Sequence, residues 1–272
     1  MDPALRAFEE LVKAPETAID LGRAALAVAR IEHPQLDEER ELARLDTLAA
    51  RVGSGRDAGA TLERLRRLLF DEEGFRGNDG EYYDPRNSCL NDVLDRKLGI
   101  PITLSVLTME VGRRVKLDIA GVGLPGHFIV SAAVGARAVL LDPFHGGGVL
   151  THAAAADVAA RAVGRPVKLE EAHWTPCTPR QIVVRMLRNL KTIYARGKDW
   201  PRALAVVDRL LLVDPDTPTH LRDRGTVLVK AGRLWDGAAE WERYLGRHPG
   251  AQDAESFRQE LRRVRQELGS RN

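Results

Sequence analysis

Two residues fifteen positions apart, His127 and Asp142, are the side chains of this 272-residue chain best placed by type and spacing to do chemistry. His127 opens the apolar run HFIVSAAV and Asp142 closes the next, RAVLLD. If these runs are antiparallel strands, the chain returns a carboxylate to an imidazole, fixing its tautomer and raising its basicity. That supplies the base and the orienting group of a nucleophile–base–orienter triad. The nucleophile belongs at the start of a helix, where the helix dipole lowers its pKa. The helix before the strands begins at Pro101 and offers Pro101, Thr103 and Ser105, but no cysteine. Thr103 and Ser105 lie about 200° apart around a helix, so at most one faces His127. Ser105 shares a stripe of small residues with Pro101, Thr108 and Gly112 and is the better placed hydroxyl. The alternative is that it bonds the carbonyl one turn back, as buried serines do.

Other chemistry is sparsely supplied. Cys89 and Cys177 show no CxxC or Cys/His spacing, which argues against a disulfide scaffold and a structural zinc site. Gly121, Gly123 and Gly126 spell GxGxxG, but a strand follows instead of a helix, so no helix N-terminus awaits a pyrophosphate. Gly146, Gly147 and Gly148 read as a turn leaving a strand. His145 beside His127 and Asp142 makes only a loose ligand grouping, and neither a metal nor a cofactor is expected. Asn91 and Glu110 are polar where burial penalises them, so each needs a partner or marks a binding position.

The elements that must position these groups follow from periodicity. The first 75 residues carry apolar residues at three and four spacing in PALRAFEELVKA, AIDLGRAALAVARIEHP, ELARLDTLAARV and ATLERLRRLLFDEE. Asn87 or Ser88 is positioned to cap a helix that Gly99 ends. The helix from Pro101 to about Arg114 is apolar almost all round, which requires burial on several sides. Strands follow at Ile119–Gly123, His127–Val134 and Arg137–Leu141. The expected class is therefore α+β.

Composition agrees with a soluble protein, with 44% hydrophobic and 29% charged residues and a net charge of +2. No apolar run approaches the roughly 20 residues of a membrane span, and MDPALRAFEE lacks a secretion-signal layout, so a cytoplasmic, non-membrane protein is expected. From Pro179 onward there are 19 Lys and Arg against 12 Asp and Glu. These charges alternate in sign with a helical period, which describes a solvated face and not a nucleic-acid surface.

The tail repeats. Pro215 and Pro249 are 34 residues apart, each closing an amphipathic stretch, and this is the tetratricopeptide period. With each proline at position 32, the repeats span 184–217 and 218–251. Small residues, Ala203 and Gly237, stand where two helices of a hairpin cross closely, and Tyr194, Trp241 and Tyr244 stand where the groove is filled. Arg224 departs from the signature, and the charged stretch after Gly250 reads as a capping helix. Two repeats are fewer than usually stand alone, so support from the preceding domain is expected, with a boundary near Pro176 in HWTPCTPRQ.

The segment Tyr82–Leu150, with NSCLNDVLDRKLGIPITLS, GVGLPGHFIV and LLDPFHGG, resembles SirB-type bacterial proteins. The resemblance implies a helical region at 1–75, a papain-like transglutaminase core with a small antiparallel sheet at 76–176, and tetratricopeptide repeats with a capping helix at 177–272. Transglutaminase-like enzymes use Cys-His-Asp; His127 and Asp142 match, and the cysteine does not. Cys89 precedes Gly99 and Pro101, stands where the family usually has a bulky apolar residue, and reads as a small core residue. Two functions follow. The first is a pseudoenzyme that binds a protein or peptide partner, with the repeats as a docking surface and Asn91, Glu110, His145, Tyr194 and Trp241 as candidate binding residues. The second is a hydrolase or acyltransferase using Ser105, His127 and Asp142.

Overall fold

Three-and-four spacing produces α1 (Pro3–Lys13), α2 (Leu21–Ala29), α3 (Glu38–Val52) and α4 (Ala58–Arg66), which runs into a π-helical turn at Arg67–Glu72. Each helix starts at an aspartate (Asp2, Asp20, Asp37, Asp57) whose carboxylate accepts a backbone N–H of the first turn. This satisfies a donor that a helix start otherwise leaves unpaired. The computed structural model describes residues 2–270.

A short parallel pair, β1 (Arg76–Gly77) with β2 (Leu98–Gly99), brackets α5 (Leu90–Arg96). The helix boundaries differ from those expected at Asn87 or Ser88 and Gly99. Pro85–Ser88 winds into a separate 3-10 turn capped by Asp84, and the Asn87 amide donates to the Glu81 carbonyl at 2.7 Å. Cys89 thus takes the N-cap position, and Lys97, at φ 61°, ends the helix two residues before Gly99.

α6 (Pro101–Arg114) is buried from Pro101 through Gly112. The four antiparallel strands β3 (Ile119–Leu124), β4 (His127–Val134), β5 (Arg137–Asp142) and β6 (Gly148–Leu150) lie side by side in that order. α6 packs on β3 and β4 and also on α2 and α3, which explains its apolar circumference. Sequence reading missed β6. Gly146 and Gly147, at φ 73° and 70°, turn the chain back into it, and a Cβ on Gly147 would lie 2.2 Å from the Phe70 ring. It also missed α7 (His152–Val163), capped by Thr151, whose Ala155 and Ala159 pack on Val122, Leu124, Ile129 and Leu140.

The chain divides into two compact units, Asp2–Met186 and Leu187 onward. The division falls inside α8 (Pro179–Arg196) and not at Pro176, because Pro176 and Cys177 belong to the first unit: Pro176 bridges Val122, and the Cys177 N–H donates to the Gly121 carbonyl at 2.8 Å.

In the second unit α8 is followed by α9 (Trp200–Val213), α10 (Thr219–Lys230), α11 (Leu234–Arg247) and α12 (Ala254–Ser270). α10 and α11 nearly touch. A Cβ on Gly225 would lie 2.4 Å from Trp241 Cδ1, and one on Gly237 would lie 2.8 Å from the Gly225 carbonyl oxygen. Trp241 is only 3% exposed, and its Nε1–H donates to the Arg222 carbonyl at 3.1 Å. Trp241 and Tyr244 both meet Phe257 of α12 edge-on, so the capping helix, and not only the neighbouring hairpin, buries them. Arg224 bridges Asp208 of α9 and Glu240 of α11, at 2.7 Å each, which accounts for its departure from the repeat signature.

Two glycines of α11 should respond oppositely to alanine. Gly246 has open space around its Cβ direction, so Gly246→Ala is expected to stabilise by up to about 1 kcal/mol through helix propensity. Gly237→Ala meets backbone on α10 and is expected to destabilise, since overpacking costs about 1–3 kcal/mol. Urea unfolding of the full chain checks both, and a stabilising Gly237→Ala would refute the close crossing.

Candidate functional site

Pairing Leu124 with His127 closes the β3–β4 turn at Pro125 and Gly126, and pairing Val130 with Leu141 carries the end of β5 back beside the start of β4. His127 Nε2 lies 3.0 Å from both carboxylate oxygens of Asp142. His145 Nδ1 lies 2.7 Å from Asp142 Oδ2, and the backbone N–H groups of Phe144 and His145 donate to Oδ1 at 3.1 and 3.4 Å. Burial, the largest influence, pushes the Asp142 carboxyl up, but the hydrogen bonds and charges of His127 and His145 together outweigh it and hold the group below its ordinary value. The carboxylate is therefore ionised and accepts from both rings. That assigns the Nε2–H tautomer to His127 and the Nδ1–H tautomer to His145 when neutral, leaving His127 Nδ1 and His145 Nε2 as acceptors.

Both histidines line a cleft of about 670 Å³, together with Tyr82, Pro101, Gly126 and Phe144. Asp79 and Arg161, exposed and of opposite charge, also line it. The volume suits a small ligand or a short piece of peptide. Pro101, the first residue of α6, stands in the cleft wall where a helix-start nucleophile would stand, and it carries no nucleophilic atom. Ser105 is wholly buried, and its hydroxyl donates to the Phe128 carbonyl at 3.5 Å, tying α6 to β4. Thr108 makes the bond one turn back that was the alternative for Ser105, donating to the Leu104 carbonyl at 2.8 Å. Neither cysteine lines the cleft. Burial pushes both thiols up, Cys89 strongly, and it also raises the Tyr82 hydroxyl.

A model of the Transglutaminase-like superfamily matches residues 39–188, more than half of the chain. The chain belongs to that superfamily. A tetratricopeptide-repeat model matches residues 190–262 of this transglutaminase-like chain, so the core is followed by repeats as in SirB-type proteins. A UPF0162 protein of Xylella fastidiosa is 34% identical over 93% of each chain. A UPF0162 protein of Vibrio cholerae is 33% identical over 77% of this chain and 79% of its own. F-box only protein 21 of Mus musculus is 35% identical over 83 residues, 30% of this chain and 13% of that one. No solved structure matches.

The remaining candidate residues of the transglutaminase-like chain lie elsewhere. Glu110 is buried and pairs with Arg113 and Arg114 of its own helix, while its Oε2 fills the space beside Gly22 of α2. Asn91 is buried with its Oδ1 unpartnered and does not line the cleft. Tyr194 and Trp241 are buried packing residues of the second unit. His145 alone of the proposed binding residues joins His127 and Asp142, and these three offer ligand atoms within 4.8 Å of one another.

One residue of this transglutaminase-like site was not anticipated. Arg185 donates through Nη2 to the carbonyls of Leu124 and His127, at 2.9 and 2.5 Å, and its guanidinium lies 5.2 Å from the centre of the Phe128 ring. It clamps both ends of the turn that presents His127, and burial lowers its pKa.

Removing the shared acceptor should be costly. Asp142→Ala is expected to destabilise the fold by about 1–3 kcal/mol, because buried N–H donors lose their partner. Asp142 titrates below its ordinary 3.8 in the folded chain, so its contribution is fully present above that value and is lost as pH falls through the lower folded value. The stability gap between the native chain and Asp142→Asn should therefore narrow below about pH 4, which denaturant melts across pH 2–6 would read.

Proposed function

We propose that the chain is a transglutaminase-like binding protein without acyl-transfer activity, whose cleft receives a peptide segment and whose repeats dock a second part of the same protein partner. One observation carries this reading: Pro101 occupies the helix-start position of the cleft. A thiolate works because it is appreciably ionised near neutrality, whereas an alcohol needs both an aligned base and an oxyanion hole. Here the base is present and the nucleophile is not. The acceptor nitrogens of His127 and His145 suit backbone N–H groups of an extended peptide, and the rings of Tyr82, Tyr83 and Phe144 offer apolar walls for its side chains. Tetratricopeptide arrays present concave protein-binding surfaces, which supports an adaptor or regulatory role.

The hydrolase reading through Ser105 loses its support, since that hydroxyl is buried and directed at a backbone carbonyl. An assay with glutamine-peptide and activated-ester substrates tests the proposal on the full chain. Wild type, Cys89→Ser with Cys177→Ser, and Ser105→Ala should all match the uncatalysed rate. Turnover abolished by His127→Gln would overturn the binding reading, as would turnover lost in Cys89→Ser alone or in Ser105→Ala.

A further inference from the structure

A second cluster of ligand-type side chains lies outside the cleft, and nothing in the transglutaminase-like site uses it. The chain leaving α2 brings His33 beside the start of α5, where Cys89 and Asp92 stand one helical turn apart. His33 Nε2 lies 2.7 Å from Asp92 Oδ2. These two atoms and Cys89 Sγ all lie within 4.8 Å of one another. Cys89 is fully buried and Asp92 nearly so, while the His33 side chain is 36% exposed. Two donors are thus fixed in the protein wall, and the third stands at the surface through which an ion enters.

We propose that His33, Cys89 and Asp92 bind a zinc ion. The donor set decides the metal: a thiolate, an imidazole and one carboxylate suit zinc, whereas magnesium and calcium require oxygen ligands throughout. Zinc bonds of about 2.0–2.3 Å at tetrahedral angles place neighbouring ligand atoms about 3.3–3.8 Å apart. The present spacings, from 2.7 Å to at most 4.8 Å, bracket that range, so closure needs side-chain adjustments of about an ångström. On binding, the Cys89 thiol gives up its proton to solvent together with its weak 3.5 Å contact to the Pro85 carbonyl. The thiolate and the Asp92 carboxylate then balance the two positive charges of the ion. With three protein donors, the fourth position is left to solvent on the His33 side.

The test uses the full chain, stripped with a chelator and titrated with cobalt(II), then with zinc. One equivalent of cobalt should produce a thiolate-to-cobalt charge-transfer band that one equivalent of zinc removes. Cys89→Ser should abolish the band, and His33→Gln should weaken binding more than about tenfold, the lower end of what losing even an outer-shell partner costs. Cys177→Ser and His145→Gln should leave both unchanged. The assignment fails if folded wild type shows no thiolate band, if the band survives Cys89→Ser, or if Cys177→Ser or His145→Gln removes it. Should Cys89→Ser not fold, the surface variant His33→Gln decides, and an unchanged affinity there overturns the site.

Discussion

A single carboxylate, shut away from water, organises the core: Asp142 accepts from two imidazoles and two backbone N–H groups. Taking one ionised carboxylate out of water costs several kcal/mol unless its lone pairs are filled. Filling them fixes several things together. β5 must end beside the start of β4, the following residues must wind into the 3-10 turn Pro143–His145, and both rings must offer their remaining nitrogens away from the carboxylate. Arg185 completes the arrangement from behind by holding the carbonyls on either side of the β3–β4 turn.

Among the described residues, no cysteine, serine or threonine lines the cleft beside His127 and Asp142. A histidine and aspartate at catalytic spacing look like the remains of a reaction, yet each hydrogen bond also meets the requirement that buried polar groups be paired. The hydroxyls of α6 follow the same rule: Ser105 links helix to strand and Thr108 serves the preceding turn. The pairing requirement is therefore enough by itself to keep the two side chains in register.

What could be read from the sequence depended on whether one element or several determined a residue's place. α6, β4 and β5 carry their periodicity within single runs, and the proximity of His127 to Asp142 follows from strand order. α7 escaped notice because HAAAADVAARAV offers little contrast between its faces, and β6 because three residues set no period. Helix capping at Asn87 or Ser88 failed since the 3-10 turn claims those residues first. Arg185 had a visible signal: it stands three residues after the buried Ile182, on the apolar stripe of α8. Trp241 and Tyr194 looked like contact residues because aromatic side chains fill both binding surfaces and repeat interiors; only packing separates the two uses.

The proline-bearing stretch between Trp174 and Pro179 punctuates the sequence, and it also lies along the free edge of β3. Pro176 sits opposite Val122, and the Cys177 N–H takes the Gly121 carbonyl. An uncovered strand edge is a template on which another chain can add a strand. Here the covering segment includes a residue with no N–H to offer onward, and the opposite edge, β6, is only three residues long. The sheet is thereby closed to growth on one side and nearly so on the other, which protects it against edge-to-edge aggregation.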